Sequence, residues 1–135
     1  MRILYTLTAK RKKDMFLKIT GFLYKDYSNE EDLYNAKATK IFVPIYGITF
    51  ISYIENSEVY AQIELKMKES YFNGDDEEYE ACKNFLKLTK GKCYIHLNDN
   101  FNVLTPNLTP LEFIDMINKK ISDNYKINLL TQIKN

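Results

Sequence analysis

Apolar and polar residues alternate with a period of two over several stretches of the chain, which is the pattern of strands that bury one face. The alternation at residues 3–9 resumes at 15–19, so we predict a β-hairpin whose tip is the basic run at 10–13. The next β-rich stretch covers residues 41–54 and is broken at Pro44 or Gly47. Because proline cannot donate a hydrogen bond to a ladder, Pro44 is predicted at a sheet edge or at a bend.

Further strands are predicted after the turn at 55–58, where the alternation is strongest. One face of this strand would carry Val59, Ala61, Ile63, Leu65 and Met67, and the other Tyr60, Gln62, Glu64 and Lys66. Residues 92–98 alternate in the same way, and an Asn-Asp-Asn turn leads into a short strand at 101–105, which predicts a second hairpin. The tail at 126–134 favours a last strand, with a helix through Leu130 as the alternative.

Helix starts are marked by residues that suit the first turn of a helix. Ser28 and Glu31 have the spacing of a capping box, which predicts a short helix over 29–38 that presents Leu33 and Tyr34.

Two longer helices are predicted in the second half of the chain. The first begins with the acidic run at 75–78 and ends at Gly91. Its inward stripe is predicted to be Tyr79, Cys82, Phe85 and Leu86. The second has Thr109 as N-cap, Pro110 at the first position and Glu112 at the third. Its buried stripe is predicted to be Phe113, Ile114, Ile117 and Ile121.

These elements predict one α+β domain over residues 1–135, with a mainly antiparallel sheet and two to three helices packed on one face. The length suits a single core. The apolar share of 45% and the charged share of 27% are typical of a folded globular chain, not of a disordered one.

The sequence gives no support for a transmembrane span, a metal site or a disulfide framework. The most apolar stretch, 41–54, is too short to cross a bilayer as a helix, and no signal-peptide core precedes the basic run, so we expect a cytoplasmic protein. Cys82 and Cys93 form no C-x-x-C pair, so we interpret them as thiols in the core. We predict no metal ion and no cofactor.

Catalytic motifs are also missing, so a non-catalytic protein is favoured over an enzyme, and no catalytic residue is assigned. The four glycines stand singly, which excludes the glycine-rich phosphate-binding loops. The single histidine, His96, is predicted on the strand face opposite Cys93, which excludes a dyad between them. A small enzyme with a site around His96, together with Tyr94 and Tyr60, is kept as an alternative.

Charge is distributed unevenly although the formal net charge is only +1. Residues 1–25 carry seven basic and one acidic side chain, whereas residues 26–80 carry four basic and thirteen acidic ones. The basic hairpin tip gives a nucleic-acid-binding alternative, with the residues Lys10, Arg11, Lys12 and Lys13. Nucleic acid is the less favoured partner, because the chain has only two arginines and a strongly acidic middle segment.

Tyrosines and acidic residues point instead to a protein partner. Tyrosines on a polar sheet face are suited to a protein interface. The alternative, which has equal weight, is that helices of the same chain cover these rings. An acidic surface would attract a basic toxin or nuclease. The predicted partner-binding residues are Tyr60, Tyr94, His96, Glu55, Glu58, Asp75, Asp76, Glu77 and Glu78.

We therefore expect a non-catalytic binding protein that inhibits a protein partner. In type, the chain resembles the immunity proteins and antitoxins that neutralise bacterial toxins, and small phage-type inhibitors. No motif carries this resemblance, so no residue role is transferred from it. An edge strand near Pro44 or the C-terminal strand would also allow pairing into a homodimer.

Overall fold

The computed structural model describes residues 15–26 and 28–134, with side chains through Asp123. Within these residues the chain forms five strands and four helices, which confirms the α+β class. The strands are β1 (Phe16–Lys25), β2 (Thr39–Pro44), β3 (Ile48–Tyr53), β4 (Cys93–Leu97) and β5 (Phe101–Leu104). The helices are α1 (Glu31–Tyr34), α2 (Glu58–Asn73), α3 (Asp76–Thr89) and α4 (Pro110–Lys134).

The described strands form one antiparallel sheet in the order β2-β1-β5-β4-β3. β1 pairs with β2 through its first six residues and with β5 through its last four. The change of partner falls at Gly21, where an added Cβ would lie 2.6 Å from the Leu104 carbonyl oxygen. Only glycine allows β5 to approach β1 this closely.

The sheet is strongly curved. β2 and β3 lie at opposite ends of the described strand order, yet only Ile45–Gly47 separates them in the chain. A flat sheet of five strands would be about 19 Å wide. The connection spans at most about 14 Å, so the sheet must curl until its two end strands approach each other. Pro44 is the last residue of β2, a strand at one end of the order, and the connection to β3 bends immediately after it, as predicted.

Alternation along the strands produces two apolar clusters on opposite faces of the sheet. The face covered by α1, α2 and α3 is called the outer face. Three helices therefore share one face, but they include α2, which was predicted as a strand, and not the helix that begins at Pro110, which packs on the opposite, inner face. The inner face is closed by Phe113 of α4. The outer cluster contains Phe22, Leu33, Tyr34, Ile54, Val59, Tyr60, Ile63, Cys82, Phe85, Leu86, Tyr94 and Leu104. The inner cluster contains Met15, Leu17, Ile19, Val43, Ile45, Cys93, Ile95, Leu97, Val103 and Phe113.

The strand predicted at 59–67 is wrong, because this segment is the first part of α2. The Ser57 hydroxyl oxygen accepts a hydrogen bond from the Tyr60 N–H, and Gly74 closes the helix with a φ of 72°. The buried positions follow helical spacing, whereas Leu65 is 54% exposed. Strong helix formers fill the stretch after Ile63, and they favour the helix over the strand that the alternation predicts.

The tail is helical and not the favoured strand, because α4 continues to Lys134. No glycine or proline follows Pro110, so nothing in the backbone chemistry stops the helix once it has begun. At its start, the Glu112 N–H donates to the Thr109 hydroxyl and the Thr109 N–H donates to the Glu112 carboxylate, which confirms the predicted cap. Ile114 is 38% exposed and does not belong to the buried stripe, whereas Met116 packs against the inner cluster.

The first helix is shorter than predicted, with four residues instead of the range 29–38. Its start uses the Asn29 side chain, which accepts from the Glu31 N–H, in place of Ser28. Leu33 and Tyr34 are buried as predicted. The first strand of the N-terminal hairpin and its basic tip lie outside the described residues. None of the helices in the described part of the chain has the length and apolar character needed to span a bilayer.

Candidate functional site

A cleft of about 540 Å³ opens on the outer face beside the start of α2. Its walls come from the end of β1 and the loop that follows, from β3 and β4, and from the first turns of α2. The lining residues are Tyr24, Asp26, Ser28, Glu30, Phe50, Ser52, Asn56, Ser57, Glu58, Val59, Gln62, Tyr94 and His96. The volume lies in the range of roughly 300–1,000 Å³ that is typical of small-ligand sites.

His96 is positioned in this cleft by contacts on three sides. Its ring stacks on the Phe50 ring across β3 and β4, with centroids 4.8 Å apart and planes 4° apart. The Thr49 hydroxyl oxygen lies 2.5 Å from Nδ1, and the Asp26 carboxylate lies 3.8 Å from Nε2. Cys93 belongs to the inner cluster, so the two side chains are on opposite faces as the alternation predicted.

Asp26 is held in place by a buried polar network. The Asn102 amide is fully buried and donates to the Asp26 Oδ1 at 2.6 Å and to the Tyr24 carbonyl at 3.3 Å. The Tyr94 hydroxyl donates to the Asn102 Oδ1 at 2.6 Å. Burial raises the pKa of Tyr94 to about 12, with a further contribution from the negative charge of Asp26. The network fixes one carboxylate oxygen and leaves the other facing His96.

The charge of the cleft is negative. Asp26, Glu30 and Glu58 contribute carboxylates, and no lysine or arginine is among the lining residues in the described part of the chain. The N-terminus of α2 opposes this with about half a positive charge. Three formal negative charges outweigh that half charge, so the cleft favours a positively charged group.

A second, shallower depression of about 340 Å³ lies between α1 and the start of α3, and we call it the acidic hollow. It is lined by Glu31, Tyr34, Asn35, Asp75, Glu77, Glu78 and Ala81. Lys66 Nζ lies 3.6 Å from a Glu31 oxygen and 3.9 Å from a Glu78 oxygen.

One carboxylate of the acidic hollow is tied to a buried ring. The Tyr34 hydroxyl donates to Glu78 Oε1 at 2.6 Å. This hydrogen bond is the largest of the effects that lower the pKa of Glu78, and the Ser70 side chain adds to it. The pKa of Tyr34 is raised, first by burial and then by the same hydrogen bond.

The structure brings together some of the predicted partner-binding residues and separates others. Tyr94, His96 and Glu58 line the cleft, whereas Asp75, Glu77 and Glu78 line the acidic hollow. Asp76 is exposed in the first turn of α3.

Glu55 and Tyr60 lie apart from both depressions. The Glu55 carboxylate accepts hydrogen bonds from the Gly91 N–H at 3.0 and 3.1 Å, which ties the turn before α2 to the chain after α3. Tyr60 and Tyr94 are only 8% and 9% exposed. Tyr60 lies on α2, so the prediction that placed it on a sheet face is wrong. Tyr94 does lie on a strand, in the outer cluster that the helices cover, which is the second of the two alternatives considered for it.

Two residues that shape the cleft, Phe50 and Asn102, were missed by the sequence reasoning, and Asp26 was grouped only with the acidic residues of the middle segment. Asp26 meets Asn102 across 76 positions of sequence, and no local pattern reveals such a pair. Asn102 itself stands between the apolar residues Phe101 and Val103 in a predicted strand. An amide in the middle of an apolar strand was the one available sign of a buried polar network.

Chemically, the cleft combines an imidazole, three carboxylates and an exposed aromatic face. Among the described residues, no group of three or more histidine, cysteine or acidic side chains is placed so that it could hold a metal ion. The basic run at 10–13 lies outside the described residues, so no contact in the structure bears on the nucleic-acid alternative. Comparison with protein-family models, with curated proteins and with solved structures gave no match.

Proposed function

We propose that the protein is a non-catalytic binding protein that inhibits a basic protein partner, such as a toxin or nuclease, in the manner of an immunity protein. The observation that carries this proposal is the convergence of carboxylates from distant parts of the chain in two depressions. Asp26, Glu30 and Glu58 line the cleft. Glu31, Asp75, Glu77 and Glu78 line the acidic hollow.

Electrostatics explains how such a surface would act. Complementary charge speeds the encounter of two proteins and fixes their relative orientation. A nuclease or other nucleic-acid enzyme presents cationic groups to phosphates, so an acidic surface competes for the same groups. The two depressions give the acidic surface a shape that could fit side chains of the partner, which a flat patch could not do. A partner bound to this surface would be inhibited because its own binding site is covered.

The test is co-purification of the protein with the product of the adjacent gene, followed by affinity measurement. The triple variant E30Q/E31Q/E77Q removes three charges beside the depressions. The control E64Q/E69Q/E80Q removes three exposed charges on α2 and α3 that line neither depression. We expect the first triple to weaken binding by at least about tenfold, which corresponds to 1.4 kcal/mol, and to reduce its salt dependence. The control should change the affinity by less than about twofold.

Two results would contradict this proposal. Equal losses from both triples would show that only the overall charge matters. Recovery of nucleic acid in place of a protein would favour the alternative function at the basic run.

A second candidate function is a small enzyme that uses His96 as a proton donor and acceptor. The observation that favours it is the Asp26 carboxylate 3.8 Å from His96 Nε2 at a cleft of ligand size. The Thr49 hydroxyl holds the ring at Nδ1, so the nitrogen left for proton transfer is Nε2, which faces the Asp26 carboxylate. The wild type, H96A and D26N would be assayed on a panel of chromogenic esters, phosphodiesters and glycosides. Turnover by the wild type that both folded variants lose would support the enzyme, whereas residual turnover in H96A would exclude this site.

A further inference from the structure

We propose that the cleft beside α2 is a binding site for a planar organic cation of the guanidinium or amidinium type. In the setting of the proposed function, this cation is an arginine side chain of the partner, and that part of the inference rests on the proposed function. The binding of a free guanidinium compound does not rest on it.

The sign of the ligand's charge follows from the lining of the cleft. Its three carboxylates face a space with no lysine or arginine among the described lining residues. An anion would be repelled, and a neutral ligand would leave the carboxylates without a counter-charge as it displaced their water. A cation removes both penalties.

The flat shape of the ligand follows from the aromatic wall. Phe50 is 50% exposed at the cleft and stacks on His96, so its ring orientation is fixed. The Tyr94 ring lies 6.0 Å from the Phe50 ring, measured between centroids. A guanidinium group stacks on an aromatic face and keeps its hydrogen-bond donors in the plane, which a spherical ammonium group cannot do.

Hydrogen bonding to the ligand follows from the fixed carboxylate. Asn102 occupies one oxygen of Asp26, and a fully buried amide of this kind leaves the carboxylate little freedom to rotate. The second oxygen is presented toward His96 and the cleft. A guanidinium carries five donors, and Glu58, Ser52 and Gln62 supply further acceptors among the lining residues. Preorganised acceptors reduce the ordering cost of binding.

The test measures the binding of matched small molecules by calorimetry and NMR. The probe is N-acetyl-arginine amide, and the control is N-acetyl-citrulline amide, which replaces the guanidinium by a neutral urea of the same shape. We expect the arginine compound to bind with a dissociation constant of about 1 mM or lower. The citrulline compound should bind at least about tenfold more weakly, and butylamine should be intermediate. NMR shifts should concentrate at Phe50, Tyr94 and His96.

Variants locate the binding within the protein. D26N and F50L should each weaken binding of the arginine compound by at least about fivefold, which is about 1 kcal/mol. E77Q removes the same charge as D26N but lies in the acidic hollow, so it should leave binding within about twofold. F50L keeps all charges and an apolar side chain, so it tests the aromatic wall even if D26N disturbs the fold.

The outcomes separate this inference from the proposed function. No binding of the arginine compound, equal binding of the citrulline compound, or equal losses in E77Q and D26N would overturn the cation site. Binding of the arginine compound without any protein partner would support the site while the proposed function fails. If a partner is found and D26N leaves its affinity unchanged, the cation that the cleft binds is not an arginine side chain of that partner, and this part of the inference is wrong.

Discussion

Asn102 connects three strands through one buried side chain. Asn102 belongs to β5, which lies between β1 and β4. Its NH2 group donates to the Tyr24 carbonyl near the end of β1 and to the Asp26 carboxylate just after that strand. Its amide oxygen accepts from the Tyr94 hydroxyl on β4. Burying an amide is unfavourable unless its hydrogen bonds are made, and here both ends of the amide are paired. Removing one member of such a network therefore costs more than the loss of a single bond.

We predict that N102V destabilises the fold by about 1–3 kcal/mol, because it leaves the Tyr94 hydroxyl buried without its acceptor. The double variant N102V/Y94F should recover part of this loss, because neither member of the buried pair then remains polar. Urea unfolding of the two variants and of Y94F gives the coupling free energy. Simple addition of the two single effects would contradict the network.

The Tyr34–Glu78 hydrogen bond makes part of the stability depend on pH. The pKa of Glu78 is lowered in the folded protein, chiefly by the Tyr34 hydroxyl. A lowered carboxyl pKa contributes stability above its unfolded value, which is about 4.3, and this contribution is lost as the pH falls through the folded value. The carboxylate is partly exposed, so solvent reduces the effect.

We predict that Y34F lowers the free energy of unfolding near neutral pH by about 1–2 kcal/mol, the range for a hydrogen bond to a partly screened charged group. The difference between the wild type and Y34F should shrink below about pH 4 as Glu78 becomes protonated. Urea unfolding across this range measures the difference. A constant difference at all pH values would show that the lost hydroxyl acts only through packing.

At the residue scale, the sequence could predict which face of a strand a side chain occupies but not which distant residue it meets. Alternation placed His96 and Cys93 on opposite faces, because the pleat is a local property. The meeting of His96 with Asp26 depends on β5 inserting between β1 and β4, which is set by the packing of the whole sheet.

Among the elements, α2 shows how two periodicities can fit one segment. Val59, Ile63 and Met67 are four residues apart and are also compatible with alternation. The positions of Ser57 and Gly74 decide between the two, because they satisfy the ends of a helix. Local chemistry at the termini was therefore more informative than the apolar pattern between them. The same chemistry at Asp75 and Thr109 correctly predicted the starts of α3 and α4.

We predict that S57A destabilises the protein by about 1 kcal/mol, the usual effect of removing an N-cap. The Ser57 hydroxyl accepts from the Tyr60 N–H and donates to the Ile54 carbonyl, and alanine does neither. S57D keeps the acceptor and should lose less. Thermal and urea unfolding compare the three proteins, and an equal loss in S57A and S57D would show that the bond to Ile54 is the one that matters.

Gly21 determines how β1 passes from one partner strand to the other. An alanine Cβ there would lie 2.6 Å from the backbone oxygen of Leu104, and backbone cannot move aside as a flexible side chain can. We predict that G21A destabilises the fold by about 1–3 kcal/mol, the range for overpacking. T20A, one residue earlier in the same strand, is the control and should cost less. Equal stability of G21A and the wild type would show that β5 can shift without loss.

For the whole molecule, a single curved sheet is shared between two apolar clusters. Each cluster contains one fully buried cysteine, Cys82 in the outer cluster and Cys93 in the inner one. Burial raises the pKa of both thiols, that of Cys93 to about 12, and the charge of Glu78 adds to the effect at Cys82. Because the thiolate is the reactive form, labelling of either cysteine requires the protein to open.

We predict that the two clusters open together, because β1, β4 and β5 contribute side chains to both and neither face can be exposed without loss of the other's support. The variants C82A and C93A each leave one thiol, whose labelling rate by a disulfide reagent gives the free energy of opening at that site. In each variant this value should equal the free energy of global unfolding from urea titration within about 0.5 kcal/mol, as expected for a two-state domain. Much faster labelling of Cys82 than of Cys93 would mean that the helical layer opens while the curved sheet stays closed. The cleft would then be able to adapt its α2 wall to a ligand without unfolding the strands that hold Asp26 and His96.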